Sequence, residues 1–569
     1  MNYVNDRFCE LVQLPRNRQA ILAMKKDVDD FLPSFCDSPA KLSRWGHHYF
    51  CDDDGGRLIF DLNSPHSHRC EICGKVYSND VQDGVWVTFY RNRAVVLALV
   101  SAAVYKATGE TKYRDYALQV IDFYAAHYHE FVLHNKENKI FDSYETMKWG
   151  CGKMMPQGLN EAIVAIRFIQ TIEILRPELE QEWLENVHRK LFREMFRLLA
   201  PQAVEIHNIS CWSLAAIGVM GLAMKDQEMI DYAFTSPFNI RRQLAEGVTA
   251  DGFWYEGSIH YNFFLLEGVS YLFLFSKIYG YDFGQESTAI FERMFEKAYE
   301  YAFDNLYLPN PNDGWPNLNL RTFSYVYHTA ARAFGEKSKV GNLLKIIEND
   351  PNPRTTLPLS EPYYCCGTVC LEQLLFNIDF DYSDYRPVAH VSNTFPTSNF
   401  AMLRNNNWNV FVKYGLNGKS HAHPDIMNIE VMYKDQRISR DLSNAGYQSR
   451  LCNEWHRKTL SHNTVCWNGQ DITSVHPGKC LHFDADSFSG LALDVYEGID
   501  YQRNLHITED SLVDEFLVQG KPGVYDYVFH LEPQLQLECE MPLEDASLGF
   551  SENGYQHVEE TKKVLVLGG

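Results

Sequence analysis

The sequence is poor in positive charge: 52 Lys and Arg stand against 74 Asp and Glu, a formal net charge of −22. That balance excludes a general nucleic-acid binder, whose phosphate contacts need a basic surface. An enzyme acting on polyanions would have to gather a local basic cleft inside an acidic body. Long apolar runs are also missing. No stretch approaches the ~18 uninterrupted apolar residues of a membrane span, so no membrane partner is expected. The opening MNYVNDRFCELVQLPRNR lacks an apolar core behind a basic end. The bacterial cytoplasm is therefore the expected location, with the periplasm or secretion as the alternative if a leader was removed. The 14 cysteines form no dense framework and read mostly as buried free thiols of a reducing compartment. Internal repeats are absent beyond generic helical hairpins.

What is present is length and two kinds of periodicity. A chain of 569 residues exceeds one compact core, so two or three domains are expected. Residues 1–80 read as an irregular segment holding the dense run Pro65-His-Ser-His-Arg-Cys-Glu-Ile-Cys-Gly74. Residues 81–385 are helical in pattern. Apolar residues recur at helical spacing over Ala94–Thr108, Tyr113–His127, Gly158–Leu175, Trp183–Leu199, Trp212–Met224 and Met229–Leu244. The same spacing continues over Phe263–Tyr279, Ile290–Tyr307 and Phe323–Phe334. Short connections make these antiparallel hairpins, of a solenoid or of a closed α/α toroid. Tyr382–Asn399 reads as a linker, and over 390–569 the period changes to that of strands. Asn409–Tyr414, Asn428–Tyr433, Thr464–Trp467, Ser489–Val495 and Tyr525–His530 are examples, with turn signals at Asn417-Gly and Asn468-Gly. An antiparallel β domain, a sandwich, is predicted. The final Val564-Leu-Val-Leu-Gly-Gly is strand-like, which suggests that the natural chain continues.

Four clusters carry chemistry. His207-Asn208, followed by Trp212, stands at a helix start, where Asn208 also reads as a plain cap. Asp251-Gly-Phe-Trp-Tyr-Glu256-Gly-Ser258-Ile-His-Tyr261 is a polar turn before a long apolar helix. Ser258 would cap that helix and put Tyr261 in its first turn. In Lys419-Ser-His421-Ala-His423-Pro-Asp425, Pro424 favours an extended backbone, which sets 421, 423 and 425 on one face. Together with Asp441 and His462 these residues form a set able to bind Zn²⁺. Finally, Cys70-x-x-Cys73-Gly is half of a zinc knuckle, with His66, His68, His47, His48 and Cys51 as candidates for the rest.

The second and third clusters, in this order on a helical domain followed by a β domain, resemble the heparinase II/III superfamily of polysaccharide lyases, over roughly residues 85–530. Asp441 and Ser461-His462-Asn463-Thr464 complete the pattern. The resemblance implies an α+β multidomain build, an N-terminal (α/α) toroid followed by a C-terminal antiparallel β-sandwich, with the cleft between them. It implies β-elimination on an acidic poly- or oligosaccharide. A glycosaminoglycan such as heparan sulfate, chondroitin or hyaluronan is favoured, and alginate is the alternative. By resemblance, His207 or Asn208 would hold the uronate carboxylate, Tyr261 would protonate the leaving oxygen, and His421 would be a base or carboxylate partner. His207 is also available as base for the opposite epimer. This sequence reads His-Asn where several relatives read Asn-His, so both stay open as the carboxylate's partner. Trp212, Glu256 and Tyr447 are the expected further substrate contacts. Structural zinc would rest on His423, Asp441 and His462, with Asp425 competing, and a second zinc on His68, Cys70 and Cys73. A homodimer is left open. A tyrosine acting as base needs its pKa lowered by positive charge, and no arginine or lysine for this stands out. Competing readings are a glycoside hydrolase using two of Asp251, Glu256 and Asp313, and a non-catalytic glycan-binding protein with a structural zinc.

Overall fold

The structure is a computed structural model that describes all residues except 356, 358–363, 367–368, 378–379, 417–420, 534–542 and 565–569. The Asn417-Gly turn and Lys419-Ser420 therefore lie outside the described residues, as does most of the strand-like end.

Two layers of helices make the amino-terminal domain. An inner row is formed by α2 (Asp80–Thr108), α4 (Gly158–Leu175), α6 (Asn208–Met224), α9 (Ile259–Tyr279) and α11 (Ser324–Phe334), each packing on the next. Outside them lie α3 (Thr111–His127), α5 (Arg193–Leu199), α7 (Gln227–Thr235), α8 (Ile240–Gly247), α10 (Gln285–Tyr301) and α12 (Lys339–Asn349). The inner helices α6 and α9 are buried nearly all round, which explains why they are apolar on every face. α2 is long and apolar enough to cross a membrane by composition alone, but 89% of its apolar window is buried within this domain. Close helix approach depends on missing side chains: a Cβ at Gly218 would meet Leu272 at 2.5 Å, and one at Gly268 would meet the Trp212 ring at 3.0 Å.

Two expected helices are broken. Pro237 and the cap Asn239 separate α7 from α8, and a wide turn at His188–Phe192 precedes α5. The amino-terminal segment is not irregular throughout. α1 (Pro15–Phe31) buries Ala20, Ile21, Met24, Val28 and Phe31 at helical spacing and begins with Pro at its first position. This segment closes the ring. Tyr3 packs on Phe275 and Phe376, and Asn5 N donates to Leu375 O at 2.8 Å in α13 (Leu371–Phe376). The helices thus form an α/α toroid.

The carboxy-terminal domain is a sandwich. One antiparallel sheet runs β1 (Asn393–Phe395), β2 (Phe400–Arg404), β3 (Trp408–Lys413), β4 (Asn428–Tyr433) and β5 (Gln436–Ser439) in that order. β6 (Val465–Trp467) pairs separately with β11 (Tyr525–Tyr527). The facing sheet holds β7 (Lys479–Phe483), β8 (Ser487–Tyr496), β9 (Ile499–Ile507) and β10 (Leu512–Gly520). Alternation along the first sheet serves two cores. Leu403, Val410, Val412, Ile429 and Val431 pack towards Phe488, Tyr501 and Leu505 of the second sheet. Phe400, Met402, Phe411 and Met432 point the other way and join the core of the helical domain. A sheet buried on both faces carries apolar residues at consecutive positions, as Val410-Phe411-Val412 of β3 and Val431-Met432 of β4 do.

Candidate active site

The helical wall of the site is built from two helix starts. His207 caps α6, its Nδ1 accepting from Ile209 N at 3.2 Å, so Asn208 is the first helical residue and not the cap. Asn208 Nδ2 donates to Glu256 Oε2 at 2.6 Å, and Trp254 Nε1 donates to the same oxygen at 2.8 Å. Glu256 is fully buried beneath the site, with His207 Nε2 at 3.5 Å and His421 Nε2 at 3.9 Å from its other oxygen. It orients Asn208 and does not reach the cleft, contrary to the expected substrate contact. Trp212 is a second correction: its side chain is 1% exposed against Gly268 and Phe264, a core residue of the α6–α9 packing. Ser258 caps α9 as expected and accepts from Tyr261 N at 3.3 Å, which sets Tyr261 in the first turn.

The sheet wall meets it across the domain boundary. The His421 ring lies flat on Tyr261, centroids 3.6 Å apart and planes 14° apart. Its Nδ1–H donates to Asp313 Oδ2 at 2.9 Å, which leaves Nε2, 3.9 Å from Glu256 Oε1, as the ring's proton acceptor. Asp313 Oδ1 accepts from His423 Nε2 at 2.9 Å, and Arg457 Nη2 stands 3.2 Å from Oδ2. Burial alone would raise the Asp313 carboxyl, but these donors and the nearby Arg457 charge hold it well below the usual carboxylate range. Tyr447 O–H lies 2.5 Å from the Tyr261 hydroxyl and 3.3 Å from His421 Nδ1. Tyr447 therefore lines the cleft beside Tyr261. It is stacked on His47 at 4.3 Å and on Trp45 at 5.7 Å.

Burial, then the Asp313 charge, push the Tyr261 phenol well above its ordinary value, against the weaker pull of the Tyr447 hydrogen bond and Arg457. A phenol so placed keeps its proton and suits an acid, whereas the sequence left room for a base. Burial lowers His207, so its imidazole is neutral at physiological pH. His47 and His260 are likewise pushed down to about 3 by burial. Between the walls lies a cleft of about 350 Å³, lined by Trp45, His47, Lys136, Trp149, Asn160, His207, Asn208, His260, Tyr261, Trp315, His421, Asn444 and Tyr447 among others. His260, Trp149 and Arg457 were not legible as site residues, and His47, a candidate for the cysteine knuckle, lines the cleft instead. Asp313 was noticed only as a hydrolase carboxylate, although Asn310-Pro-Asn-Asp-Gly-Trp315 marks a polar turn.

His423, Asp441 and His462 come together as expected, their ligand atoms within 4.8 Å of one another. The donor chemistry fits a metal. His423 gives its Nε2–H to Asp313, and its buried Nδ1 has no hydrogen-bond partner among the described residues; neither has His462 Nε2. Two buried imidazole nitrogens without a hydrogen-bond partner beside a carboxylate are a donor set that could hold a metal ion, with Asp313 as the outer partner of His423. Asp425 is not part of it, since its carboxylate pairs with Lys413. At the amino terminus, His68 is not a ligand either. It bonds Tyr49 at 2.6 Å and Asp83 at 2.9 Å, while Cys70 and Cys73 instead converge with Cys51 and Asp54.

Residues 388–564 match the family model for heparinase II/III-like C-terminal domains, and residues 69–309 match that for alginate lyase. An exo-oligoalginate lyase of Saccharophagus degradans is 20% identical over 524 residues, 80% of this chain and 65% of that protein. An alginate lyase of Stenotrophomonas maltophilia is 26% identical over 183 residues, 31% of this chain and 23% of that protein. The chain thus spans under two thirds of the length of both curated relatives. The crystal structure of heparinase III superposes with a TM-score of 0.58 at 14% identity, over 96% of this chain and 85% of that one. Residues 69–309 are thus similar to alginate lyase and residues 388–564 to the heparinase II/III-like C-terminal domain, and the fold is that of the heparinase III structure.

Proposed function

We propose that this protein is a polysaccharide lyase that cleaves uronate oligosaccharides by β-elimination, leaving a 4,5-unsaturated uronate end. The observation that carries the reading is the Tyr261–His421 stack facing His207 and Asn208 across one cleft. The C5 proton of a uronate is weakly acidic because its carboxylate is already negative. Asn208, held by Glu256, keeps a second amide hydrogen for that carboxylate, and the His207 ring stands beside it. His421 Nε2 takes the C5 proton, since its Nδ1 is engaged by Asp313. Tyr261, which retains its phenolic proton, gives it to O4 as the C4–O4 bond breaks and the C4–C5 double bond forms. His207 serves as base when the proton lies on the other face of the ring. The carboxylates Asp251, Glu256 and Asp313 do not line the cleft. Asp251 is engaged by Thr397 and Ser398. Among the described residues the carboxylates that do line the cleft are Glu137 and Glu267, and Glu267 is held by Arg167 at 2.9 Å and Tyr325 at 2.8 Å, which disfavours it as one of the two carboxyl groups that hydrolysis needs.

The substrate favoured by the cleft carries one charge per sugar. Among its described lining residues Lys136 is the sole Lys or Arg, and Trp45, Trp149 and Trp315 offer faces for sugar rings. A sulfated glycosaminoglycan would need more cations, so an alginate-type oligomer is favoured, in line with the names of both curated relatives. A zinc ion on His423, Asp441 and His462 would act structurally, tying the His421 loop to the strands behind it. The described cysteines are free thiols, which supports work in a reducing compartment such as the cytoplasm. The test offers mannuronate, guluronate, hyaluronan and heparan sulfate oligomers in ¹⁸O-labelled water. Ultraviolet absorbance of the new double bond without label in the product is expected, strongest on alginate oligomers. Label incorporation without the chromophore overturns the reading.

A further inference from the structure

The Cys51–Asp54–Cys70–Cys73 cluster lies apart from the groups that would move protons, and it has the geometry of a site. Its two arms are alike. Cys51-x-x-Asp54 ends at Gly55 and Cys70-x-x-Cys73 ends at Gly74, with φ of 68° and 76°, a left-handed turn that glycine tolerates. In each arm the glycine N–H returns to the first cysteine's carbonyl, at 3.1 Å in the first and 3.2 Å in the second. Ile72 N donates to Cys70 Sγ at 3.3 Å, the contact that a thiolate ligand accepts in a metal knuckle.

Distances across the cluster decide what it can hold. Cys51 Sγ and Cys73 Sγ are 3.7 Å apart, and Cys70 Sγ lies 3.4 Å from Asp54 Oδ1. A disulfide would need about 2.05 Å. A tetrahedral zinc with Zn–S near 2.3 Å and Zn–O near 2.0 Å sets its ligand edges at about 3.8 Å for S–S and about 3.5 Å for S–O. Both observed edges agree. The surrounding subdomain also needs a staple: its own core is little more than Tyr49, Cys51, Leu58, Cys70, Val85 and Phe89.

We propose that Cys51, Asp54, Cys70 and Cys73 bind a zinc ion, and that this ion fixes the amino-terminal wall of the cleft. The wall begins just before the first ligand. Trp45 and His47 face the cleft, and Phe50 stacks on Trp315 at 5.9 Å. Phe50 also presses on Gly446, the residue before Tyr447, where an added Cβ would meet the ring at 2.5 Å. The knuckle thus backs the segment that supports Tyr447 and the substrate-facing tryptophan. Three soft thiolates and one carboxylate in tetrahedral array suit zinc in preference to magnesium or calcium.

The test counts metal on the intact protein. Organomercurial titration of the folded wild type should release one equivalent of zinc, read with a chromogenic chelator, while a His423→Ala variant still releases it. Cobalt loaded in place of zinc should show a sulfur-to-metal charge-transfer band. That band should vanish in Cys70→Ser and strengthen in Asp54→Cys, which supplies a fourth sulfur. No zinc release by the mercurial, or no sulfur band in the cobalt protein, overturns the proposal even if Cys70→Ser fails to fold. The effect on the cleft rests on the lyase reading: Cys70→Ser should raise KM for the oligosaccharide about 10-fold and leave kcat within about 3-fold. Failure of that arm alone rejects the wall-fixing role and leaves the metal count standing.

Discussion

The two walls of the cleft hold their groups in different ways. On the helical wall, His207 and Tyr261 stand in the first turns of α6 and α9, fixed by capping hydrogen bonds within two or three residues of themselves. On the sheet wall, His421 and Tyr447 stand on loops and are fixed from far away in the chain. Asp313, which belongs to the helical domain, grips His421 from 108 residues off, and Tyr447 N reaches His47 Nδ1 at 3.4 Å across 400 residues. The helical groups are thus placed by local backbone, whereas the sheet groups depend on the docking of the two domains. A helix start offers a rigid frame for a proton donor. On the proposed reading, the loop side offers a base, His421, whose orientation the distant Asp313 carboxylate sets.

Removing the donor should have the largest effect. Tyr261→Phe keeps the stack on His421 and is expected to lower kcat about 10³-fold with little change in KM, followed by the ultraviolet chromophore. If activity survives, the helical wall does not supply the acid. Asp313→Asn probes the other wall and should cost about 10²-fold in kcat by freeing His421 to turn. Asp313 acts as a positioning residue, so the same variant should also loosen the metal site through His423, and a fall in bound zinc distinguishes this from a purely local lesion. An unchanged zinc content would separate the two tasks of that carboxylate.

Acid stability gives a smaller effect. Burial holds His47 and His260 at about 3. Below a pH of about 6.5 the unfolded chain takes up protons there that the folded chain refuses. Stability should therefore fall as pH drops from about 6.5 towards 3, by about 1–2 kcal/mol for each such group after allowing for its partial exposure in the cleft. Denaturant midpoints against pH should show this, and His260→Gln should flatten the slope. The smallest effect concerns sugar binding alone. Trp149 packs edge-on against His207 at 5.4 Å, and Trp149→Ala should raise KM about 3–10-fold with kcat unchanged.

Much of this build was legible before any coordinates. The change from helical to strand period marks the domain boundary, because side-chain periodicity follows backbone geometry directly. Ser258 before Tyr261 could be read as a cap and its first turn, since a cap acts over three residues. Local reading failed where the partner was distant. Trp212 sits among site residues in sequence but its ring packs on Gly268 of a neighbouring helix. His68 lies two residues from Cys70 yet faces Asp83, while Asp54, in a run of aspartates that reads as a solvated turn, faces the thiols.

By itself the sequence determined the order of the two domains, the helix starts carrying His207 and Tyr261, and the His421–His423 run, because each is set by spacing along one short segment. The tertiary structure alone decided that Asp313 joins His421 to His423, that Glu256 holds Asn208 from beneath, and that Tyr447 meets Tyr261. Those contacts join segments from about 50 to nearly 200 residues apart. The Glu256–Asn208 contact arises within the toroid, between two helix starts; the contacts of Asp313 and Tyr447 arise only when the β1–β5 sheet buries its second face against the toroid, and no periodicity within either domain encodes that docking.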